Sequence, residues 1–329
     1  MSLWLHSLGA RVTGFALAPA TDPNLWAIAG CCSRSIIGDV RDAAAVRQAL
    51  AAADPQIVIH MAAQALVRES YRDPLETYST NVMGTAVLLQ ACRTLHRLEC
   101  VVVVTSDKVY ENDGAGRAFA ESDRLGGHDP YSNSKACVEL LTGSFRDSFF
   151  RDGVPIATAR AGNVIGGGDW SEDRLIPDCV RALAYGAPVS LRHPDATRPW
   201  QHVLEPVGGY LRLAETLVRT RGSAPKAVNF GPGQNSCCTV REVVEAFSAR
   251  FGGKPGWIRD PGEHPPEATA LSLSSALAAS ALGWVPQLEV AQALSWTAEW
   301  YRAHRAGEDM LCYSRAQLRE YRKLLGRSS

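Results

Sequence analysis

Four consecutive valines, Val101 to Val104, constrain this 329-residue chain more than any other stretch. Their β-branched side chains are stiff at χ1 and suit a pleated strand. An unbroken apolar run, rather than one alternating with polar residues, suits a strand covered on both faces, as in a parallel sheet flanked by helices. The run ends in Thr105-Ser106-Asp107-Lys108-Val109-Tyr110, and residues at the carboxyl end of such a strand face the ligand crevice of an open α/β sheet. Further along, Asp129 can cap a helix whose first turn holds Pro130, and Ala136, Leu140, Leu141 and Phe145 continue its apolar spacing. Tyr131 and Lys135 are four apart and share a face of that helix. The Lys135 ammonium is therefore expected to lower the pKa of the Tyr131 phenol toward neutrality, making it a general base. A Y-x-x-x-K pair also arises by chance on solvated helix faces; its weight here comes from following a strand that ends in Ser-Asp-Lys.

These phrases resemble the extended short-chain dehydrogenase/reductases, and among them most closely those that act as CDP-glucose 4,6-dehydratases. The resemblance is carried by His60-Met-Ala-Ala-Gln64, Leu66-Val-Arg-Glu-Ser-Tyr71, Thr105-Ser-Asp-Lys-Val-Tyr-Glu-Asn112 and Gly162-Asn-Val-Ile-Gly-Gly-Gly-Asp-Trp170. Arg198-Pro-Trp-Gln-His-Val203 and His264-Pro-Pro-Glu-Ala-Thr-Ala-Leu271 extend it over nearly the whole chain. Ser-Asp-Lys is the most telling part, because the related dTDP-glucose dehydratases carry Asp-Glu at the corresponding positions. The resemblance implies an α/β fold, a Rossmann-like doubly wound parallel sheet with a smaller C-terminal α/β substrate domain. The expected division is 1–165 for dinucleotide binding and 166–329 for the nucleotide sugar, with a segment at about 198–230 returning to the first domain.

The residues expected to carry the chemistry are Ser106, Asp107, Lys108, Tyr131 and Lys135. By resemblance, Tyr131 takes the proton of the hexose 4-hydroxyl, Ser106 positions that hydroxyl, Asp107 is the acid for the leaving 6-hydroxyl and Lys108 is the candidate base at carbon 5. A lysine base must be neutral, so the Lys108 pKa is expected to be depressed by several units. The cofactor is expected to be NAD, held by Asp39, Val40, Ala62, Ala63, Gln64, Asn81 and Thr105 together with Tyr131 and Lys135. Asp39 would accept from the adenine amino group, or serve as a turn residue or as a cap for a helix from Ala43 to Ala53. The strand from Arg11 to Ala16 ends in Gly14-Phe15-Ala16-Leu17; with neither a carboxylate nor an arginine pocket there, the choice of NAD over NADP follows from the resemblance alone.

Met1 to Ala10 reads as the second half of an amphipathic helix with Gly9 as its C-cap. This fold should place a strand and a glycine-rich turn before that helix, where backbone amides approach the cofactor pyrophosphate. No such turn occurs, so about 20 residues, one strand and one turn of a βαβ unit, are expected to be missing upstream. An open lane is expected between the strands Arg11–Ala16 and Gln56–His60, with weak NAD binding as a consequence. A long helix is expected from Asp73 and Pro74, containing Asn81 and Gly84.

In the second half, Arg174, Arg192 and Arg198 come from separate segments, as a diphosphate with several oxygens requires. Asn163, Asn229, His264 and Glu267 complete the expected substrate contacts. Gly166, Gly167 and Gly168 mark the change of domain. Thr239 with Glu242 is a capping-box signature, and Leu288 to Tyr301 is an amphipathic helix whose Trp296 and Trp300 read as core. Ser274 stands where the family usually has Asp.

Lys plus Arg and Asp plus Glu both number 34, so no basic field points to nucleic acid. Nine cysteines without C-x-x-C spacing, the adjacent pairs Cys31-Cys32 and Cys237-Cys238 included, suit reduced thiols in a cytoplasmic protein with no metal site. No apolar run approaches the roughly 20 residues that span a bilayer. The expected enzyme is a homodimer, with apolar Val82, Met83, Leu88 and Leu89 in excess of one buried stripe, and it would serve deoxysugar synthesis for O-antigen or lipopolysaccharide. The alternatives are a nucleotide-sugar 4-epimerase, which needs Tyr131 and Lys135 but not Asp107 and Lys108, and a truncated non-catalytic homologue.

Overall fold

The computed structural model describes all residues except 31–33, 113, 115, 152, 222, 234–235, 254–255, 265–270 and 327–329. Cys31, Cys32 and Glu267 lie outside the described residues. In chain order, α1 (Ser2–Ser7) leads to β1 (Thr13–Ala16), α2 (Leu25–Ala29), β2 (Arg34–Ile37), α3 (Ala43–Ala53) and β3 (Ile57–His60). Next come α4 (Val67–Arg72), α5 (Pro74–Tyr78), a π-helical turn Ser79–Met83 and α6 (Gly84–Cys92), which together replace the single long helix expected from Asp73. Strand β4 (Cys100–Val104), α7 (Pro130–Phe149) and β5 (Ile156–Arg160) follow.

The second half holds β6 (Val164–Ile165), α8 (Leu175–Ala184), β7 (Val189–Leu191), β8 (Thr197–Pro199), β9 (Gln201–His202), α9 (Leu204–Thr220) and β10 (Ala227–Asn229). It continues through β11 (Cys237–Thr239), α10 (Val240–Phe251), β12 (Trp257–Arg259), α11 (Ala276–Leu282), α12 (Val290–Arg305) and α13 (Met310–Leu325).

Strands β10, β5, β4 and β3 form a parallel sheet in that order. The valines of β4 alternate between its faces: Val101 and Val103 pack with Leu88, Leu89 and Val138, whereas Val102 packs with Leu213, Leu217 and Phe230. All three are fully buried, and at about 1.5–3 kcal/mol per valine this strand alone is a substantial share of the core. β10 pairs with β5 and α9 packs on β4, so the chain returns to the first sheet after residue 198.

Strand β1 pairs only with β2, and β3 pairs only with β4, among the described residues. No pairing joins β1 to β3 among the described residues. Met1 is the N-cap of α1, and Gly9 follows one residue after the C-cap Leu8, at φ +83°.

Local capping matches the sequence pattern where partners are near in the chain. Asp129 accepts the Ser132 amide at the start of α7, and Thr239 and Glu242 form the reciprocal box on α10. Asp42, not Asp39, caps α3; Asp39 is a turn residue, accepting the backbone amide and guanidinium of Arg41. Ser275 is the N-cap of α11 but makes no side-chain cap. Trp300 is buried, as expected, in the core of the second lobe. The described cysteines are free thiols, and no helix among the described residues is long and apolar enough to cross a membrane.

Candidate active site

The carboxyl end of β4 turns directly into a single 3-10 turn, Asp107–Val109, in which the Ser106 hydroxyl accepts the Lys108 amide at 3.2 Å. This turn puts Ser106, Asp107 and Lys108 on the wall of a 630 Å³ cleft that Tyr131 also lines. Ser106 lies close enough to the Tyr131 phenol to influence its titration, and it donates to Asp107 Oδ1 at 3.0 Å.

Asp107 is 2 % exposed. Burial pushes its carboxyl above the usual range, opposed by Lys108, the Ser106 hydroxyl and Arg198. A carboxyl so placed tends to hold its proton, which suits an acid. Asn163 donates to Asp107 Oδ2 at 3.2 Å from a left-handed backbone at φ +49°, a conformation asparagine tolerates.

Tyr131 departs from the sequence expectation. Burial raises its pKa, the Ser106 hydroxyl lowers it, Asp107 raises it and Arg174 lowers it. Taking the phenol out of water is the largest of these effects, and on balance its pKa is raised rather than lowered. The Lys135 ammonium donates to the Val104 carbonyl at 3.4 Å, and burial lowers its own pKa to about 8.

The cleft also collects Asn163, Arg174, Arg192 and Arg198. Arg174 donates to the Ala65 carbonyl at 3.3 Å and Arg192 lies 3.8 Å from Asp173. Arg198 donates to the Thr197 carbonyl at 3.0 Å. Arg68, Asp178, Arg181 and Asp260 line the cleft as well and were missed in the sequence. Arg68 lies inside a quoted motif, and its ion pair with Asp173 at 2.6 Å was the discoverable signal only in three dimensions.

Two expected substrate residues are elsewhere. Asn229 is fully buried outside the cleft: its Oδ1 accepts from Tyr110 at 2.7 Å, and its Nδ2 donates to the carbonyls of Phe119 and Ser274. Its polar atoms are consumed in joining β10 to neighbouring loops, so it is a structural residue. His264 stacks edge-on against His193, a cleft residue, and sits 3.4 Å from Asp260 without lining the cleft itself.

The residues expected to hold the dinucleotide follow β2, β3 and β4 in the chain or lie on the π-helical turn and α7. Gln64 and Asn81 bond each other through backbone and side chain, and Asn81 also donates to Ser134 at 2.8 Å. Val40 packs against Gly84, where a Cβ would meet it at 2.5 Å. Ala62 and Ala63 keep the backbone after β3 clear of bulky side chains. Thr105 turns inward, donating to Glu139 at 2.5 Å, so its hydroxyl is not presented to a ligand. For a dinucleotide this set offers small residues after β3 and the α7 face with Tyr131 and Lys135, whereas both oxygens of the Asp39 carboxylate are engaged by Arg41. The pyrophosphate contact expected at a glycine-rich turn has no counterpart among the described residues.

The chain is similar to known proteins over most of its length. Residues 4–231 match the family described as "NAD dependent epimerase/dehydratase family". The chain is 43% identical to the CDP-glucose 4,6-dehydratase of Salmonella typhimurium over 98% of its own length and 92% of that protein. It is 32% identical to the dTDP-glucose 4,6-dehydratase of Streptomyces antibioticus over 82% of this chain and 76% of that one. Among solved structures, the UDP-glucose 4-epimerase of Thermotoga maritima with UDP-glucose superposes with a TM-score of 0.78 at 18% identity, covering 92% of this chain and 94% of that one; at that identity the likeness shows the fold.

Proposed function

The chain belongs to the NAD dependent epimerase/dehydratase family, and from that premise we propose that it is a hydro-lyase, a CDP-glucose 4,6-dehydratase that converts CDP-glucose to CDP-4-keto-6-deoxyglucose. The observation that carries the reading is the buried acid Asp107 beside Lys108 and within the same cleft as Tyr131. A 4-epimerase needs only the tyrosine and lysine, whereas elimination of water needs an additional acid and base.

In this reading Ser106 orients the hexose 4-hydroxyl and the Tyr131 phenolate takes its proton. NAD would supply the hydride acceptor and donor for carbons 4 and 6. The 4-ketone acidifies the carbon 5 proton, which Lys108 removes while Asp107 protonates the departing 6-hydroxyl as water. Lys108 then returns a proton to carbon 5. Asn163 holds the Asp107 carboxyl, and Arg174, Arg192 and Arg198 face the diphosphate. Asp39, Val40, Ala62, Ala63, Gln64, Asn81 and Lys135 surround the dinucleotide.

Residues 1–165 with the returning segment near 198–230 serve the cofactor, and 166–329 the nucleotide sugar. The enzyme works in the cytoplasm as a homodimer, without nucleic acid, and its product enters deoxysugar synthesis for O-antigen or lipopolysaccharide. The test is incubation of the chain with NAD and CDP-, dTDP- or UDP-glucose, with product identified by mass and by NMR. Loss of one water from CDP-glucose in preference to the others is expected. A mass-neutral conversion to the galactose epimer would identify an epimerase instead, and no conversion of any of the three would leave the binding-only reading.

A further inference from the structure

Glu139 lies one turn beyond Lys135 and two beyond Tyr131 on α7, so the three share a helix face. Its side chain is 4% exposed, as is that of Arg160. Four donors saturate its carboxylate: Thr105 Oγ1 at 2.5 Å and Arg160 Nε at 2.9 Å on Oε1, and Thr158 Oγ1 and Arg160 Nη2, both at 2.7 Å, on Oε2. Thr105 is the residue before Ser106, and Arg160 ends the strand that leads to Gly162 and Asn163. One carboxylate therefore ties the helix carrying Tyr131 and Lys135 to the two strand ends that carry Ser106, Asp107 and Asn163.

Stability does not account for this arrangement. Buried ion pairs are often no better than well-packed apolar residues of the same volume. The surroundings of Lys135 supply a reason. From its own helix it faces Tyr131 and Glu139; from β4, the Val104 carbonyl; from β3, His60, which burial and Lys135 itself hold neutral with a pKa of about 3. Arg160 reaches it from β5 through Glu139. Of these groups Glu139 carries the negative charge. A phenolate with an ammonium and a phenol with an amine differ only in where one proton sits. An anion nearer to Lys135 than to Tyr131 favours the first arrangement.

We infer that Glu139 is a positioning residue for this site, clamping the Thr105–Asp107 segment against α7 and favouring the charged form of Lys135 on the helix face that carries Tyr131. The catalytic meaning rests on the reading above, in which Tyr131 and Lys135 act as a pair, but the test reads no turnover. The chain has five lysines, so labelling lysine ε-carbons with ¹³C gives an NMR spectrum simple enough to titrate, and Lys135→Arg assigns the signal. With the full chain and no cofactor, the Lys135 midpoint is expected near 8. Glu139→Gln is expected to lower it by about one unit or more, and Arg160→Gln to raise it, as neighbouring charges do. Glu139→Asp, which keeps the charge, is expected to stay near the parent value even if it unfolds at lower temperature. A Glu139→Gln midpoint equal to the parent's overturns the inference. Should that variant not fold, the absence of an upward shift in Arg160→Gln overturns it equally.

Discussion

A Cβ placed on Gly162 would lie 1.9 Å from the carboxyl carbon of Asp107. The backbone after β5 passes so close to the acid that no side chain fits between them. Gly162→Ala must push the carboxylate off Asn163 and Ser106 or bend the chain. Turnover of CDP-glucose by this variant is expected to fall about 10²-fold, the usual worth of a general acid, with a smaller loss in thermal stability. Near-normal kcat in steady-state kinetics would show that Asp107 does not need this position.

Lys108 faces the cleft one residue from the acid. Lys108→Ala is expected to leave NAD binding intact and to slow elimination by about 10²-fold or more. Exchange of the carbon 5 hydrogen with deuterated solvent isolates the step, and it should slow in parallel with product formation. Undiminished exchange would assign the base to another residue.

Lys135 is buried at a cost that is visible in pH dependence. Its pKa falls from 10.5 to about 8, and that difference of about 2.5 units corresponds to about 3 kcal/mol. A folded-state value below the unfolded one means that the unfolded chain binds more protons between about pH 8 and 10.5. This residue's contribution to stability therefore rises with pH across that window and is least favourable below it. Lys135→Met is expected to raise Tm at pH 7 by a few degrees, with the advantage shrinking at pH 10, while activity is lost. Calorimetry at the two pH values checks the sign; a Tm advantage that grows with pH would contradict it.

The proposed homodimer needs an apolar face. Of the four residues expected from the sequence, Leu88 and Leu89 are core and Val82 packs against the same cluster, leaving only Met83 exposed. The exposed set is instead Leu75, Met83 and Leu140, at 79%, 58% and 64%, on adjoining helical segments. Leu140→Arg is expected to give a folded monomer in sedimentation velocity at micromolar concentration. A dimer that persists with Leu140→Arg and Leu75→Arg combined would place the interface elsewhere.

Much of the scaffold was legible because its causes are local. The valine run, the Asp129 cap and the Thr239–Glu242 box each involve residues within four positions of one another, and stiff side chains and unpaired helix amides act at that range. The site was legible as far as one strand end and one helix face define it, which is why Ser106, Asp107, Lys108 and Tyr131 meet in the cleft. Glu139 was within reach of the same reasoning, since it continues the Tyr131–Lys135 spacing. Asn229 was not, because its partners Tyr110, Phe119 and Ser274 are distant in the chain.

The sequence by itself determined a parallel sheet, a strand end that lines a cleft and a tyrosine–lysine helix, through periodicity and capping that need no knowledge of distant residues. Only the tertiary structure decided which side chains are spent on one another and which face the cleft. It also decided the protonation tendencies, because desolvation depends on everything packed around a group rather than on its neighbours in the chain. Asp107 is pushed up by burial and Tyr131 is raised rather than lowered. Lys135, four residues from Tyr131, answers to a glutamate on its own helix and to a carbonyl on β4.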